Sequence, residues 1–223
     1  MTRKSRASWK VYKNVFDTFT DETLLKLQGQ GHFDEMLRPV LLGKEANVFL
    51  ASKQESFVIV KIYRLHTANF NKMHEYLGAD ERYMDLKGNK RRVILSWVQR
   101  EFANLRIARE HVRVPTPHTI LNNVLVMDLI GHGSEPAPML KDAPPKNSQA
   151  FYDECRAMLD TLWNAGLVHG DVSAFNILNN DDVPWLIDFS QATTIKNNRA
   201  KELFERDVLN LNTYAKKFDV KTR

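Results

Sequence analysis

The chain has 223 residues, 43% apolar and 26% charged, with a formal net charge of +5. This is ordinary globular composition and excludes a disordered, collagenous or coiled-coil chain. The single cysteine, Cys155, excludes an internal disulfide and a multi-cysteine zinc site, and no apolar run approaches the ~18 residues of a membrane span.

The charge is concentrated at the start. Arg3, Lys4, Arg6, Lys10 and Lys13 are met by no acid before Asp17. No apolar segment follows this arm, residues 1–16, so it is not a secretory signal. It suits contact with nucleic acid or another polyanion; a solvated, solubilising tail has the same composition. The lone cysteine fits a reducing compartment, and a cytoplasmic location is expected.

Residues 17–36 read as a helical region broken by Gly29 and Gly31. Three short apolar runs follow, 40–42, 48–51 and 57–63, separated by Gly43 and by 52–55, the pattern of a small antiparallel meander. Residues 64–92 are polar and weakly periodic and read as an insertion. Its basic cluster Lys87, Lys90, Arg91, Arg92 is either solvated or a contact to RNA or to the open face of a nucleotide. A helix is predicted over 93–110, with Ile94, Val98, Phe102 and Leu105 on one face, and Pro115 and Pro117 end it. Residues 124–129 read as a strand. The four prolines of 135–145 suggest an extended link between two lobes.

Phe151, Cys155, Met158, Leu159 and Leu162 then mark a helix closed by Gly166. Short strands are predicted at 177–178 and 185–187. The last helix places Ala200, Phe204, Val208, Leu211, Ala215 and Phe218 on one stripe, which core packing explains.

The chemistry is carried by His169-Gly170-Asp171-Val172-Ser173-Ala174-Phe175-Asn176 followed by Leu186-Ile187-Asp188. An Asp and an Asn five apart on a loop, then an Asp at the end of a short strand, suit phosphoryl transfer from a metal nucleotide. That reaction needs phosphates positioned, their charge neutralised and the acceptor oriented. Asp171 would accept or orient the acceptor's proton. Asn176 and Asp188 offer the hard oxygens that Mg²⁺ prefers.

Upstream, Lys61 sits inside the apolar run 57–63, where an ammonium is costly unless it meets an anion. Glu101 is the matching carboxylate: its neighbours one turn away, Trp97 and Leu105, are apolar, so it faces inward. Snorkelling of Lys61 from an edge strand and solvation of Glu101 are the alternatives. His169 is expected to bond backbone, Cys155 to be a buried core thiol, and Trp97 and Trp163 to pack. Strand lysine, helix glutamate, connecting strand, catalytic Asp and Asn, then metal Asp follow the order of a protein-kinase-like ATP site.

A kinase glycine-rich loop is absent. Gly43-Lys44-Glu45-Ala46-Asn47-Val48-Phe49 instead resembles the phosphate loop of the RIO family of atypical serine/threonine protein kinases. The resemblance extends to Val60-Lys61-Ile62-Tyr63, to 113–117, to 124–131, to Ile187-Asp188-Phe189-Ser190-Gln191-Ala192 and to Glu205-Arg206-Asp207-Val208. It is nearest to the subfamily without an N-terminal winged helix.

The resemblance implies an α+β, bilobal kinase-like fold with a small antiparallel-sheet N-lobe, 17–131, and a reduced, mostly helical C-lobe, 132–223. It implies ATP and Mg²⁺ as cofactors. Gly43, Lys44, Glu45, Ala46, Asn47 and Val48 would form the phosphate loop, and Lys61 would touch phosphate while paired with Glu101. Met127 would lie behind adenine, and backbone groups of Asp128 and Ile130 would bind it. Asp171 would be catalytic, and Asn176 and Asp188 would hold the metal. Asp188 would also carry phosphate in an ATPase cycle, and ribosomal RNA or a preribosomal particle would be the partner of the basic arm.

The short stretch after Asp188 is expected to hold one helix and no activation segment, which favours self-phosphorylation or a large docked partner over a broad peptide kinase. Three positions depart from the pattern. Leu41-Leu42 stand for Ser-Thr, Ala174 for an acid, and Phe189 for Val. Two other functions share parts of the motif set. A small-molecule phosphotransferase of the aminoglycoside or choline kinase kind would need a large helical acceptor pocket. A non-enzymatic nucleotide-sensing scaffold would not need Lys61, Asp171, Asn176 and Asp188 intact.

Overall fold

A five-stranded antiparallel sheet organises the first half of the molecule. The computed structural model describes residues 16–65, 73 and 90–222. Residues 1–15 of the basic arm, and all of 66–89 except Met73, lie outside the described residues. Strands β1 (Glu35–Leu42), β2 (Ala46–Lys53) and β3 (Ser56–Tyr63) form the expected meander, and β5 (Val124–Asp128) pairs with β3. Outside it lies β4 (Pro117–Leu121), giving the order β1-β2-β3-β5-β4. Pro39 and Pro117 both fall on edge strands, where a missing N–H costs no ladder bond.

The alternation of β3 builds the site. Val58, Val60 and Ile62 face one side, where helix α1 (Thr18–Gly29) covers them with Leu24 and Leu27. Ile59 and Tyr63 face the other side, toward helix α2 (Lys90–Ala108), and the period of two puts Lys61 there with them. Asp17 caps α1 by accepting the Thr20 amide at 2.8 Å.

The sequence reading differs in several places. The helical region ends at Gly29, and Glu35 and Met36 belong to β1; Gly31, at φ +77°, makes the break. Pro117 does not merely follow α2 but opens β4. Lys90, Arg91 and Arg92 start α2 instead of closing the insertion. Finally, 135–145 is not a free extended link: β6 (Gly131–His132) and β7 (Glu135–Pro136) form a hairpin, and Met139 bridges to Leu178.

Beyond the hairpin come α3 (Ser148–Asn164), β8 (Leu167–Val168), the hairpin β9 (Ile177–Asn180) and β10 (Val183–Leu186), β11 (Thr193–Thr194) and α4 (Ala200–Ala215), which runs into a 3₁₀ turn, Lys216–Phe218. Asn147 caps α3, and Gly166 follows it at φ +85°. Asp181 and Asp182, at φ +55° and +65°, make the two-residue turn of β9–β10.

One hydrophobic cluster joins the α2 face of the sheet to α3 and α4 through Leu125, Phe189 and Leu203. Cys155 and Trp97 lie inside it, and Trp163 packs on Phe204 with ring centroids 4.8 Å apart. Burial pushes the Cys155 thiol pKa up, as an inert core thiol requires. Among the described residues no helix is long and apolar enough to cross a membrane.

Candidate active site

Three side chains remote in sequence meet where the sheet faces α2. Lys61 Nζ lies 2.8 Å from Glu101 Oε1 and 3.2 Å from Asp188 Oδ1. Tyr63, two residues along the same face of β3, donates its hydroxyl to Glu101 Oε2. The snorkelling and solvated alternatives fail on burial: Glu101 is fully buried and Lys61 is 7% exposed. Burial works against the Lys61 ammonium, yet Asp188 and Glu101 outweigh it and raise its pKa. Burial likewise opposes the Asp188 carboxylate, but Lys61 and the Ser190 hydroxyl pull its pKa below the usual aspartate range. For Glu101 burial prevails over Lys61, and its pKa rises.

Asp188 stands just beyond β10 at φ +64°, a left-handed conformation that costs a non-glycine residue of order 1 kcal/mol and clusters at functional sites. Its neighbour Ile187 donates its amide to the Asn176 carbonyl at 3.0 Å, which joins the Asp188 segment to the 169–176 loop. Asn176 Nδ2 bonds the Asp171 carbonyl at 2.8 Å and Oδ2 at 3.1 Å, so Asp171 and Asn176 are held together. Burial raises the Asp171 pKa, with the nearby Asp188 and Asp207 charges adding to it and His169 opposing.

His169 bonds backbone, as expected: Nδ1 accepts the Asp171 amide at 3.3 Å, which leaves Nε2 to donate to the Ile187 carbonyl at 3.1 Å. The resulting tautomer follows from that pairing.

At the sheet's tip, Gly43 and Ala46 close the β1–β2 turn through Gly43 N–H to Ala46 O at 3.0 Å. A Cβ at Gly43 would stand 2.7 Å from that oxygen, so the turn needs glycine. Lys44 is exposed and Glu45 and Val48 are half-buried. Asn47 is buried, and its carboxamide oxygen accepts from Arg64 at 3.0 Å. Met127 is buried on β5 opposite Ile59. The Asp128 amide donates to Thr116 at 3.0 Å, and the Ile130 carbonyl accepts from Ala137 at 2.8 Å. The structure thus gathers Lys61, Glu101 and Asp188 in one cluster and Asp171 and Asn176 in the adjoining loop; the 43–48 turn and 127–130 hold their own local bonds.

Two polar residues that build this arrangement were not singled out from the sequence. Arg100 and Asn104 flank Glu101 on α2 and are fully buried. Arg100 Nε donates to the Ala192 carbonyl at 3.1 Å, and Asn104 Nδ2 to the carbonyls of Phe189 at 3.1 Å and Ala192 at 2.7 Å. The helix that presents Glu101 thereby also holds the segment after Asp188. The inward argument applied to Glu101 reaches Asn104 as well, three residues on.

On α4 the buried stripe is Ala200, Leu203, Asp207, Leu211 and Ala215, with Phe204 and Val208 only half-buried. Core packing therefore does not explain it all. Asp207 accepts the amides of Gly170 at 2.6 Å and Val172 at 2.9 Å, Arg206 donates to the Gly170 carbonyl, and Asn210 to the Val172 carbonyl at 3.1 Å. An acid at the centre of an otherwise apolar i, i+4, i+8 series was the available signal.

The donor set fits a magnesium ion. Among the described residues no three His, Cys, Asp or Glu groups gather into a cage. Mg²⁺ characteristically takes one or two protein oxygens and draws the rest from phosphates and water. Asn176 and Asp188 supply such oxygens, one from each of two segments tied together by the Ile187–Asn176 bond.

A five-stranded antiparallel sheet, a buried lysine–glutamate pair from strand and helix, and an Asp/Asn loop beside a second Asp define the class of protein-kinase-like folds. Comparison with known proteins narrows it. The RIO domain matches residues 47–223, and the chain belongs to that family. It is 39% identical over 213 residues to the RIO-type serine/threonine-protein kinase Rio1 of Haloferax volcanii, covering 95% of this chain and 73% of that protein. It is likewise 39% identical over 210 residues to the protein of the same name from Methanocaldococcus jannaschii, covering 94% and 72%. In fold it is similar to the crystal structure of the Rio2 kinase–ADP/Mg²⁺–phosphoaspartate complex from Chaetomium thermophilum, with a TM-score of 0.69 at 22% identity over 90% of this chain and 61% of that one.

Proposed function

We propose that this chain is an ATP- and Mg²⁺-dependent phosphotransferase of RIO type, a serine/threonine kinase and ATPase that passes through a phosphorylated Asp188. The observation that carries this reading is Lys61, held 2.8 Å from Glu101 and 3.2 Å from Asp188. An ammonium fixed between a buried carboxylate and a partly exposed one is placed to meet phosphate oxygens. Phosphoryl transfer asks the protein mainly for such fixed charge.

In this reading the 43–48 turn lies over the phosphates, with Gly43, Lys44, Glu45, Ala46 and Val48 contributing. Asn47 contributes there too, with its carboxamide oxygen held by Arg64 at 3.0 Å. Met127 backs the adenine. The Asp128 N–H and Ile130 C=O are committed to Thr116 and Ala137, so the Asp128 C=O and Ile130 N–H are the groups assigned to the adenine edge. Asp171 orients the acceptor and takes its proton. Asn176 and Asp188 hold Mg²⁺, which when bound neutralises phosphate charge. The N-lobe is taken to run over 17–131 and the C-lobe over 132–223, and the basic arm is assigned to ribosomal RNA or a preribosomal particle. The family match and the two archaeal relatives support this reading over a small-molecule phosphotransferase.

The test is incubation with γ-labelled ATP and Mg²⁺, followed by hydroxylamine. Label that hydroxylamine releases, and that Asp188→Asn abolishes, is the expected result. Absence of both label and ATP turnover would favour a nucleotide-sensing scaffold.

A further inference from the structure

The hydrogen bonds at Asp188 are one-sided. Ser190 Oγ donates to Asp188 Oδ1 at 2.7 Å, the Ser190 amide approaches the same oxygen at 3.4 Å, and Lys61 Nζ lies 3.2 Å from it. None of these donors reaches Oδ2. Ser190 is 5% exposed, so its hydroxyl is fixed; the Asp188 side chain is 36% exposed, against 9% for Lys61 and 1% for Glu101, so the carboxylate keeps an open side.

We propose that Asp188 Oδ2 is the oxygen that takes the phosphoryl group, and that the Ser190 hydroxyl, acting through Oδ1, shortens the life of the resulting acyl phosphate. The inference rests on the phosphoaspartate reading given above.

The chemistry balances as follows. Oδ2 attacks the γ-phosphorus of ATP; the Oδ2–P bond forms, the bond from phosphorus to the β–γ bridging oxygen breaks, and ADP leaves with the electron pair. Oδ1 becomes the carbonyl oxygen of the mixed anhydride. In hydrolysis a water oxygen attacks phosphorus and the Oδ2–P bond breaks. The carboxylate departs with that pair, the water's proton passes to Asp171, and inorganic phosphate is released.

The charge on Oδ1 is small in the anhydride and grows as the carboxylate leaves. A donor on Oδ1 is therefore worth more in the transition state for hydrolysis than in the phosphorylated ground state, and lowers that barrier. Lys61 shares the effect but also belongs to the ATP site; Ser190 can be altered separately.

The experiment compares wild type, Ser190→Ala and Ser190→Thr. Each is labelled with γ-labelled ATP and Mg²⁺ and desalted into chelator, and the decay of hydroxylamine-labile label is followed in native buffer and in urea. Thermal melts confirm that each variant is folded. Expected is a Ser190→Ala phosphoenzyme that forms on Asp188 and decays about three- to tenfold more slowly in native buffer, as loss of one charge-assisted hydrogen bond implies. Ser190→Thr is expected to decay within about twofold of wild type, the donor being retained. All three should decay alike in urea, where Oδ1 has lost its fixed donors. Equal or faster native decay in folded Ser190→Ala overturns the inference and leaves the phosphoaspartate reading standing. So does failure of that variant to label, or label residing on Ser190 itself. Absence of hydroxylamine-labile label in the wild type overturns the phosphoaspartate reading, and this inference with it.

Discussion

Asp207, on the last helix, accepts the amide hydrogen of Gly170 at 2.6 Å, one residue before Asp171. Its other oxygen takes the Val172 amide at 2.9 Å, so one carboxylate spans the backbone on both sides of Asp171. Asp207 is 1% exposed. Replacing it by Ala would leave two buried N–H groups without their acceptor, at about 1–3 kcal/mol each. Asp207→Ala is expected to lose about 2–5 kcal/mol in urea unfolding and most of its ATP turnover. Asp207→Asn retains one acceptor and should fall between.

The Lys61–Glu101 pair predicts a particular pattern of non-additivity. Lys61→Met removes the cation and leaves Glu101 buried with only the Tyr63 hydroxyl among its named partners, so it should cost about 3–5 kcal/mol and abolish ATP turnover. Lys61→Met combined with Glu101→Gln removes the uncompensated charge. The double variant should be less destabilised than the sum of the singles by about 1–3 kcal/mol, yet equally inactive. A double-mutant cycle by chemical denaturation, beside an ATPase assay, reads both.

The titrations of Asp171 and Asp188 run in opposite directions. Burial raises the Asp171 pKa, so the acid limb of turnover should lie above the ordinary aspartate value of ~3.9, and activity should rise as Asp171 deprotonates. Asp171→Asn should abolish turnover across the range.

Asp188 has a folded pKa below its unfolded value, because Lys61 and Ser190 outweigh burial. Its contribution to stability is therefore complete above the unfolded pKa of ~3.9 and lost as pH falls through the folded one. Asp188→Asn should lack this component: the difference in unfolding free energy between it and wild type shrinks on acidification below about pH 4.

The β1–β2 turn gives a test confined to nucleotide binding. Gly43→Ala puts a methyl 2.7 Å from the Ala46 carbonyl and must open the turn. KM for ATP should rise about tenfold with kcat changed less, because in the proposed reading the turn lies over the phosphates and holds none of the acidic residues assigned to transfer. Steady-state kinetics at saturating Mg²⁺ separates the two constants.

Much of the site could be read along the chain because its key residues break local rules. A lysine in an apolar run and an acid between Trp97 and Leu105 are both out of place unless each answers the other. Polar side chains whose partners are main-chain carbonyls and amides gave no such pairing. Arg100, Asn104 and Asp207 bond backbone groups about 35 to 90 residues away, and backbone groups carry no sequence signature. The edge strand β4 escaped for a related reason: Pro115 and Pro117 mark the end of α2, while the pairing that makes 117–121 a strand comes entirely from β5.

The sequence by itself determined the order of the machinery, from strand lysine to final aspartate, and the family to which that order belongs. Side-chain chemistry and periodicity are local properties, written in residue types and spacings. Only the tertiary structure decided that Lys61 bonds two carboxylates at once, that Asn47 turns to Arg64, and that Oδ1 of Asp188 takes the donors of both Lys61 and Ser190. Those relations depend on which groups the packing of β3, α2 and the Asp188 segment brings within about 3.2 Å, and distances of that kind follow from the fold as a whole.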